Sequence, residues 1–396
     1  MQKLNFFSDS INVADKRVIL RLDFNVPIKN SNIIDDTRIR ASEPLINQLI
    51  KKKAKIILVS HLGRPKGKKV SELTLKPIFE YLKKRVKTNI FFFDDRIDIQ
   101  AIEASKKIKS GEILFLENIR FFKEEEFDDN KFASDLSKLG DIFINDAFSC
   151  SHRKQASLHR ITRHLKSYAG PLLKKEINSI NLILNNKKKP VTCIIGGSKV
   201  SSKINVLKNL AKNSDYLIIV GAMANNFLKY KGLNVGSSIT EPGSEKNVAK
   251  ILSLAKKENC KVILPIDCVT SKSLDGLAEY KKLNLLNTDD LILDIGKDTI
   301  KLISEILDKS NTVFWNGPAG YFENEQFRKG SVSIGNKMAE NTKLKDLKSV
   351  IGGGDTIASL KNHNLENSFT HLSTAGGAFL EYLEGKELPA IRTLYR

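Results

Sequence analysis

The chain has 396 residues, more than one hydrophobic core usually supports, so two domains are expected. Its 65 Lys and Arg against 45 Asp and Glu give a formal charge of +20, but the lysines are spread over the whole chain, with runs at 51–53 and 187–189. Aromatics are only 7% and neither a recognition helix nor an RNP-type motif is present, which argues against nucleic acid as a partner.

No apolar run is long enough to span a membrane and the first residues lack a signal-peptide pattern, so a cytoplasmic protein with no membrane partner is expected. Cys150, Cys193, Cys260 and Cys268 form no C-x-x-C pair and have no His at ligand spacing, which supports neither a zinc module nor a disulfide framework.

Short apolar runs alternate with helix-length amphipathic segments, the pattern of βα units and a parallel sheet. In the first half the predicted strands are residues 17–24, 55–60, 89–93, 112–117 and 141–146. A predicted helix over 170–190 follows, apolar at Leu172, Leu173, Ile177, Ile180, Leu182, Ile183 and Leu184 and closed by Pro190. The second-half strands are predicted at 191–195, 216–220, 262–266, 291–295, 312–315 and 349–353. The expected fold is α/β, each set of strands making one doubly wound sheet. No internal repeat is visible, so the halves are expected to match in architecture only.

These runs end in a repeated way. "LRLDFN", "LVSHLGR", "LFLENIR", "FINDAFSCSHR", "IIGGSK", "FWNGP" and "VIGGGDT" pass from strand directly into Asp, Asn, His, Arg, Lys or Gly. Ligands of open α/β sheets bind outside the carboxyl ends of the strands, so these residues would collect along one edge of each sheet. In the first half the set is Asp23, Asn25, His61, Arg64, Arg120 and Arg153, with Arg38 close after the first strand. Arginines converging on one cleft repel one another unless an anion sits among them, and the guanidinium fork matches carboxylate and phosphate oxygens in pairs. Asp23 and Asn25 would accept from a hydroxyl. The inferred ligand is small and carries phosphate, carboxylate and hydroxyl.

In the second half, Lys199 and Lys203 stand four apart in "GGSKVSSKI". On one helix face they would repel mildly, a cost that a bound polyanion reverses. Glycines 352–354 of "IGGGDT" permit close backbone approach, and Asp355 offers a hard oxygen suited to the Mg²⁺ that accompanies nucleotide phosphates. Asn316 and Glu323 would hold a nucleoside, and "STAGGA" at 373–378 is another source of free amides. No Ser-His-Asp or Cys-His set and no carboxylate pair stands out. A phosphoryl transfer whose exchanging oxygens are already ionised needs none, only alignment and charge neutralisation.

Twelve segments in order, from "RLDFNVP", "DDTRIRA" and "SHLGRP" to "VFWNGPAGYFE", "GGGDT" and "HLSTAGGAFLEYLEGKELP", resemble phosphoglycerate kinases over residues 21–389. The resemblance implies two Rossmann-like domains joined by a helical hinge: 1–172 for the triose, with 386–396 returning to it, a hinge helix over 173–189, and 190–385 for the nucleotide. It implies reversible acyl-phosphate transfer from 1,3-bisphosphoglycerate to ADP, giving 3-phosphoglycerate and ATP, in line after closure, by a glycolytic monomer using MgADP or MgATP. The positions that match the family's triose site are Asp23, Phe24, Asn25, Arg38, His61, Leu62, Gly63, Arg64, Arg120 and Arg153. Those matching its nucleotide site are Lys199, Lys203, Asn316, Glu323, Gly353, Gly354, Asp355 and Thr356, with Asp355 at the metal. Arg38, Lys199, Gly376 and Gly377 would act on the transferred group.

The chain departs from the family at Ser149 (usually Gly), Gln155 (often His) and Ala375 (the first Gly of S-T-G-G-G-A), where a positive φ would cost about 1 kcal/mol or more. Two rival readings are a kinase of another small carboxylic acid and a non-catalytic nucleotide- or RNA-binding protein.

Overall fold

The computed structural model describes residues 3–185, 188–361, 363, 365 and 367–395. The chain divides into two compact units, Met1–Ile177 with Glu387–Arg396, and Asn178–Lys386. The helix Pro171–Leu184 contains the division; it is shorter than the predicted 170–190, and residues 186 and 187 of that prediction lie outside the described residues.

The first unit is built on six parallel strands in the spatial order Ile90–Phe93, Ile113–Leu116, Lys55–Val59, Arg17–Arg21, Ile142–Asn145, Lys166–Ala169. Five were predicted; Lys166–Ala169 was not, because it is short and opens on an exposed lysine. Both faces of the sheet are covered. Val18, Leu20, Ile56 and Leu58 pack into one core and Ile19, Ile57 and Val59 into the other, so these strands read as unbroken apolar runs rather than alternating ones. Chain order reverses around Arg17–Arg21 and Ile142–Asn145. The loops after these two neighbours, carrying Asp23 and Ser149, therefore meet at the switch point. The C-terminal peptide belongs to this unit: Asn5 donates to the Leu394 carbonyl at 3.0 Å and Ala390 to that of Ser151 at 3.2 Å.

The second unit has six parallel strands in the order Lys261–Ile263, Tyr216–Ile219, Val191–Ile195, Thr312–Asn316, Lys348–Gly352, His371–Ser373. Numbered along the chain this is 3-2-1-4-5-6, the dinucleotide-fold order, against 3-4-2-1-5-6 in the first unit. Its switch point lies between Val191–Ile195 and Thr312–Asn316, where Gly196 and Gly317 follow. The predicted strand at 291–295 does not join this sheet. Leu291–Ile295 pairs antiparallel with Asp267–Ser271, which pairs antiparallel with Glu279–Lys282. The reason is connection length: the links among these three are too short for the crossover that parallel neighbours require.

Candidate active site

In the first unit Asp23 is the pivot. Its Oδ2 accepts from Arg38 at 2.7 Å and from the Ser149 hydroxyl, while Oδ1 accepts the Asn25 amide at 3.0 Å. Arg38 also donates to the Asn25 carbonyl at 3.1 Å, and the Asn25 side-chain oxygen takes the Gly63 amide at 2.9 Å. Arg120 donates to the Gly63 carbonyl at 2.9 Å. The loops after the first two strands are thereby laced together. Phe24 has its ring in the core, 5.9 Å from that of Phe115, and Leu62 is buried as well, so both can offer a ligand only backbone. Arg64 is exposed and Arg153 half-buried.

His61 lies beneath this lattice, buried. Burial first, then the charges of Arg21, Arg120, Arg38 and Arg153, hold its pKa well below the usual imidazole range. Its approach to Asp23, 3.9 Å, is therefore not an ion pair. Arg21 stands 3.4 Å from Nδ1, and because a guanidinium only donates, the neutral ring accepts there. Burial also lowers the pKa of Arg120, whose Nε has no hydrogen-bond partner. The charges of four guanidinium groups thus act on one neutral imidazole.

Sequence reasoning missed Arg21, which is fully buried and anchored to Ser157 at 3.0 Å; Ser157 in turn donates to the buried Glu125 at 2.6 Å. A charge inside the apolar run "VILRL" was the available signal. It also found no Cys-His set, whereas the fold brings Cys150 Sγ within 3.8 and 3.9 Å of the His61 ring nitrogens, and with Asp23 the ligand atoms lie within 4.8 Å of one another. This is neither a nucleophilic dyad nor a cation site. Burial pushes the thiol up to about 11, and the surrounding arginines oppose a metal ion.

In the second unit the helix Val200–Asn213 begins one residue after Lys199, which caps it in an extended conformation (φ −114°, ψ 123°). Lys199 and Lys203 therefore do not share a helix face as the sequence suggested. Lys199 is exposed. Lys203 turns back into the switch point, donating to the Gly196 carbonyl and to Asn316 Oδ1, both at 2.7 Å. Burial lowers its pKa to about 8, with Asp355 pulling the other way. The Asn316 amide donates in turn to the Gly352 carbonyl at 2.6 Å, so it braces three strand ends and both ends of its side chain are engaged. Thr356 is buried, donating to the Gly352 carbonyl at 2.9 Å and accepting the Gly317 amide at 2.7 Å. Gly196 has to be glycine: a Cβ there would sit 2.3 Å from the Pro318 carbonyl oxygen.

Beside these residues lies a cavity of about 480 Å³, lined by Gly197, Gly221, Ala222, Pro318, Glu323 and Asp355 among others, with Leu291 and Leu293 of the antiparallel sheet on its wall. The segment "GAMANN" at 221–226 contributes Gly221, Ala222, Ala224 and Asn225 to the same lining, and the amide of its Met223 bonds the Gly197 carbonyl at 2.6 Å. At the "STAGGA" loop the departure is harmless. Positive φ falls on Gly376 (56°), not on Ala375, and a Cβ at Gly376 or Gly377 would meet open space.

The sequence model of the phosphoglycerate kinase family matches residues 8–386. The chain belongs to the phosphoglycerate kinase family. Among similar proteins, the phosphoglycerate kinase of Wolbachia pipientis subsp. Culex pipiens is 43% identical over 387 residues, 97% of this chain and 98% of that one. That of Granulibacter bethesdensis is 41% identical over 388 residues, 98% of both chains. The solved structure of phosphoglycerate kinase from Coxiella burnetii superimposes with a TM-score of 0.91 at 37% identity, covering 98% of both chains. That from Pyrococcus horikoshii gives 0.81 at 32% identity, with the same coverage. Family membership over nearly the whole length leaves no support for either rival reading.

Proposed function

We propose that the chain catalyses the reversible transfer of the acyl phosphate of 1,3-bisphosphoglycerate to ADP, giving 3-phosphoglycerate and ATP. The observation that carries this reading is the cationic cluster of the first unit. Arg21, Arg38, Arg120 and Arg153 all act on a neutral His61, and the two carboxylates beside them, Asp23 on Arg38 and Glu125 towards Arg21 and Arg120, balance at most two of the four charges. Such a cluster is completed by a small polyanion, and Asp23 with Asn25 supplies acceptors for that ligand's hydroxyl. Arg64, exposed beside the cluster, and the Gly63 backbone extend the same surface.

The nucleotide is assigned to the cavity of the second unit. Its base and ribose would lie along the Leu291–Leu293 wall, with Glu323 at the ribose and the phosphates towards Lys203, Gly353, Gly354 and Thr356. Asn316 contributes by holding Lys203. Asp355 fits Mg²⁺: it is an exposed carboxylate lining that cavity, and a single hard oxygen suits an ion that arrives with phosphates and keeps part of its water. The ion, when bound, neutralises phosphate charge. Lys199, Arg38 and the amides of Gly376 and Gly377 are assigned to the moving phosphoryl group, whose charge they would stabilise in line between acid and nucleotide. The first unit is then the triose domain and the second the nucleotide domain, the linking helix serves as the hinge, and closure excludes water from the acyl phosphate. Each assigned ligand site uses residues of one chain, which supports a monomer, and the glycolytic reaction supports a cytoplasmic location. No helix among the described residues is long and apolar enough to cross a membrane.

A coupled assay with 3-phosphoglycerate and MgATP tests the reading. ATP consumption that depends on 3-phosphoglycerate is the expected result; consumption that ignores it, or none, overturns the proposal.

A further inference from the structure

The loop after the fifth strand of the first unit places Ser149 at the switch point, half-buried on the short turn Phe148–Cys150. Its hydroxyl donates to Asp23 Oδ2, the oxygen that also takes Arg38. These two donors are not equivalent. Arg38 is a partly exposed cation that an incoming anion would compete for, whereas Ser149 is neutral and offers a substrate nothing comparable in charge. The turn is also supported from behind, because Ala147, Cys150 and Leu158 pack with Ala390 of the C-terminal peptide, and Ser151 accepts the Ala390 amide. A donor on a supported turn can hold a carboxylate when its ionic partner leaves.

We propose that Ser149 is a positioning residue for the acid site, fixing Asp23 so that Arg38 can move from Asp23 to the negative charge of the substrate while Asp23 keeps its aim at the substrate hydroxyl. The inference rests on the proposed function. It deepens that function by naming what sets affinity for a hydroxylated acid: the Ser149–Asp23 hydrogen bond together with the Arg38–Asp23 pair. Without Ser149, the departure of Arg38 would leave Oδ2 of Asp23 with neither of these two donors, and the carboxylate would be held through Oδ1 by the Asn25 amide.

The test compares wild type, Ser149→Ala and Ser149→Thr in steady-state assays with 3-phosphoglycerate and MgATP, with an analogue lacking the 2-hydroxyl as competitive inhibitor. A hydrogen bond to a charged acceptor predicts that Ser149→Ala raises the KM for 3-phosphoglycerate roughly 10- to 100-fold. The KM for MgATP should stay within about twofold and kcat should change less than the acid KM. Inhibition by the deoxy analogue should change little, because that ligand does not use Asp23. Ser149→Thr, which keeps the hydroxyl, should recover most of the lost affinity. Unchanged acid KM in Ser149→Ala overturns the inference, as does an equal weakening of acid, analogue and MgATP accompanied by a lower melting temperature, which would mark a merely structural role. Inactive wild type would refute the function itself, a result distinct from either.

Discussion

At the level of single residues the two clusters differ in how they store charge. The first gathers guanidinium groups that cannot lose their protons, and it removes competition by keeping His61 neutral. The second relies on Lys203, whose pKa burial lowers to about 8. A nucleotide phosphate beside it favours the ammonium, so binding should raise that pKa and take up protons. Affinity is then full below about pH 8 and falls as the pH rises above it, until the pKa of the bound state is passed. Calorimetry at pH 8.5 in buffers of different ionisation enthalpy should show net proton uptake on MgADP binding, and Lys203→Met should abolish it while weakening the nucleotide. Arg38→Ala should lower kcat by about 100-fold or more, as expected on loss of a group facing developing charge, with little change in nucleotide affinity; turnover within a few-fold of wild type would remove it from that role. Asp23, Asn25 and His61 could be singled out in the sequence because each follows a strand end, and Arg38, in the first turn of the helix Thr37–Lys51, because it comes close after the first strand. Ser149 and Cys150 could not be joined to them, since residue 149 meets residue 23 across 126 positions and only strand order makes them neighbours.

At the level of elements, one device recurs. A buried aspartate beside a helix start accepts a backbone N–H there, against a glycine that leaves no room for a Cβ. In the first unit Asp146 takes the Leu173 amide at 2.9 Å at the head of Pro171–Leu184, and a Cβ on Gly170 would lie 2.4 Å from its carboxylate. In the second, Asp294 takes the Gly330 amide at 2.7 Å at the head of Lys329–Lys345. Burial raises both to about 7, against the lowering effect of those amides. Since the folded value lies above the unfolded one, each contributes stability that is complete below about pH 4 and is lost as pH rises through about 7. Asp146→Asn keeps an acceptor for Leu173 and removes the ionisation. Its unfolding free energy should therefore lose less between pH 5 and 8 than that of wild type, by on the order of 1–3 kcal/mol; parallel pH profiles of the two in urea titrations would contradict this. In the sequence Asp146 was readable only as a strand-end polar residue, and Asp294 lay within the predicted strand 291–295. Leu291–Ile295 was misplaced for a related reason: an apolar run specifies a buried strand but not the sheet that buries it.

At the level of the molecule, two units with separate cores predict separable protection if each binds its own ligand as proposed. In hydrogen exchange, 3-phosphoglycerate alone should protect amides around Asn25 and Gly63, and MgADP alone those around Gly353 and Met223. Small-angle scattering should show compaction with both ligands and little with either, because direct transfer needs them to meet with water excluded; compaction with one ligand alone would argue against that coupling. The α/β class, the two-unit division, most strands of both sheets and the family itself were written in the sequence, because apolar periodicity and strand-end chemistry are local and survive in a linear reading. The tertiary structure decided what depends on crossing order and burial. It set the different strand orders of the two sheets and the separate antiparallel sheet, and it put Lys199 at the cap and turned Lys203 back into the switch point. It also produced the meeting of Arg21, His61, Asp23 and Ser149. The physical reason is that a parallel sheet aligns strand ends from distant parts of the chain, and the low dielectric behind them then decides which groups keep their charge.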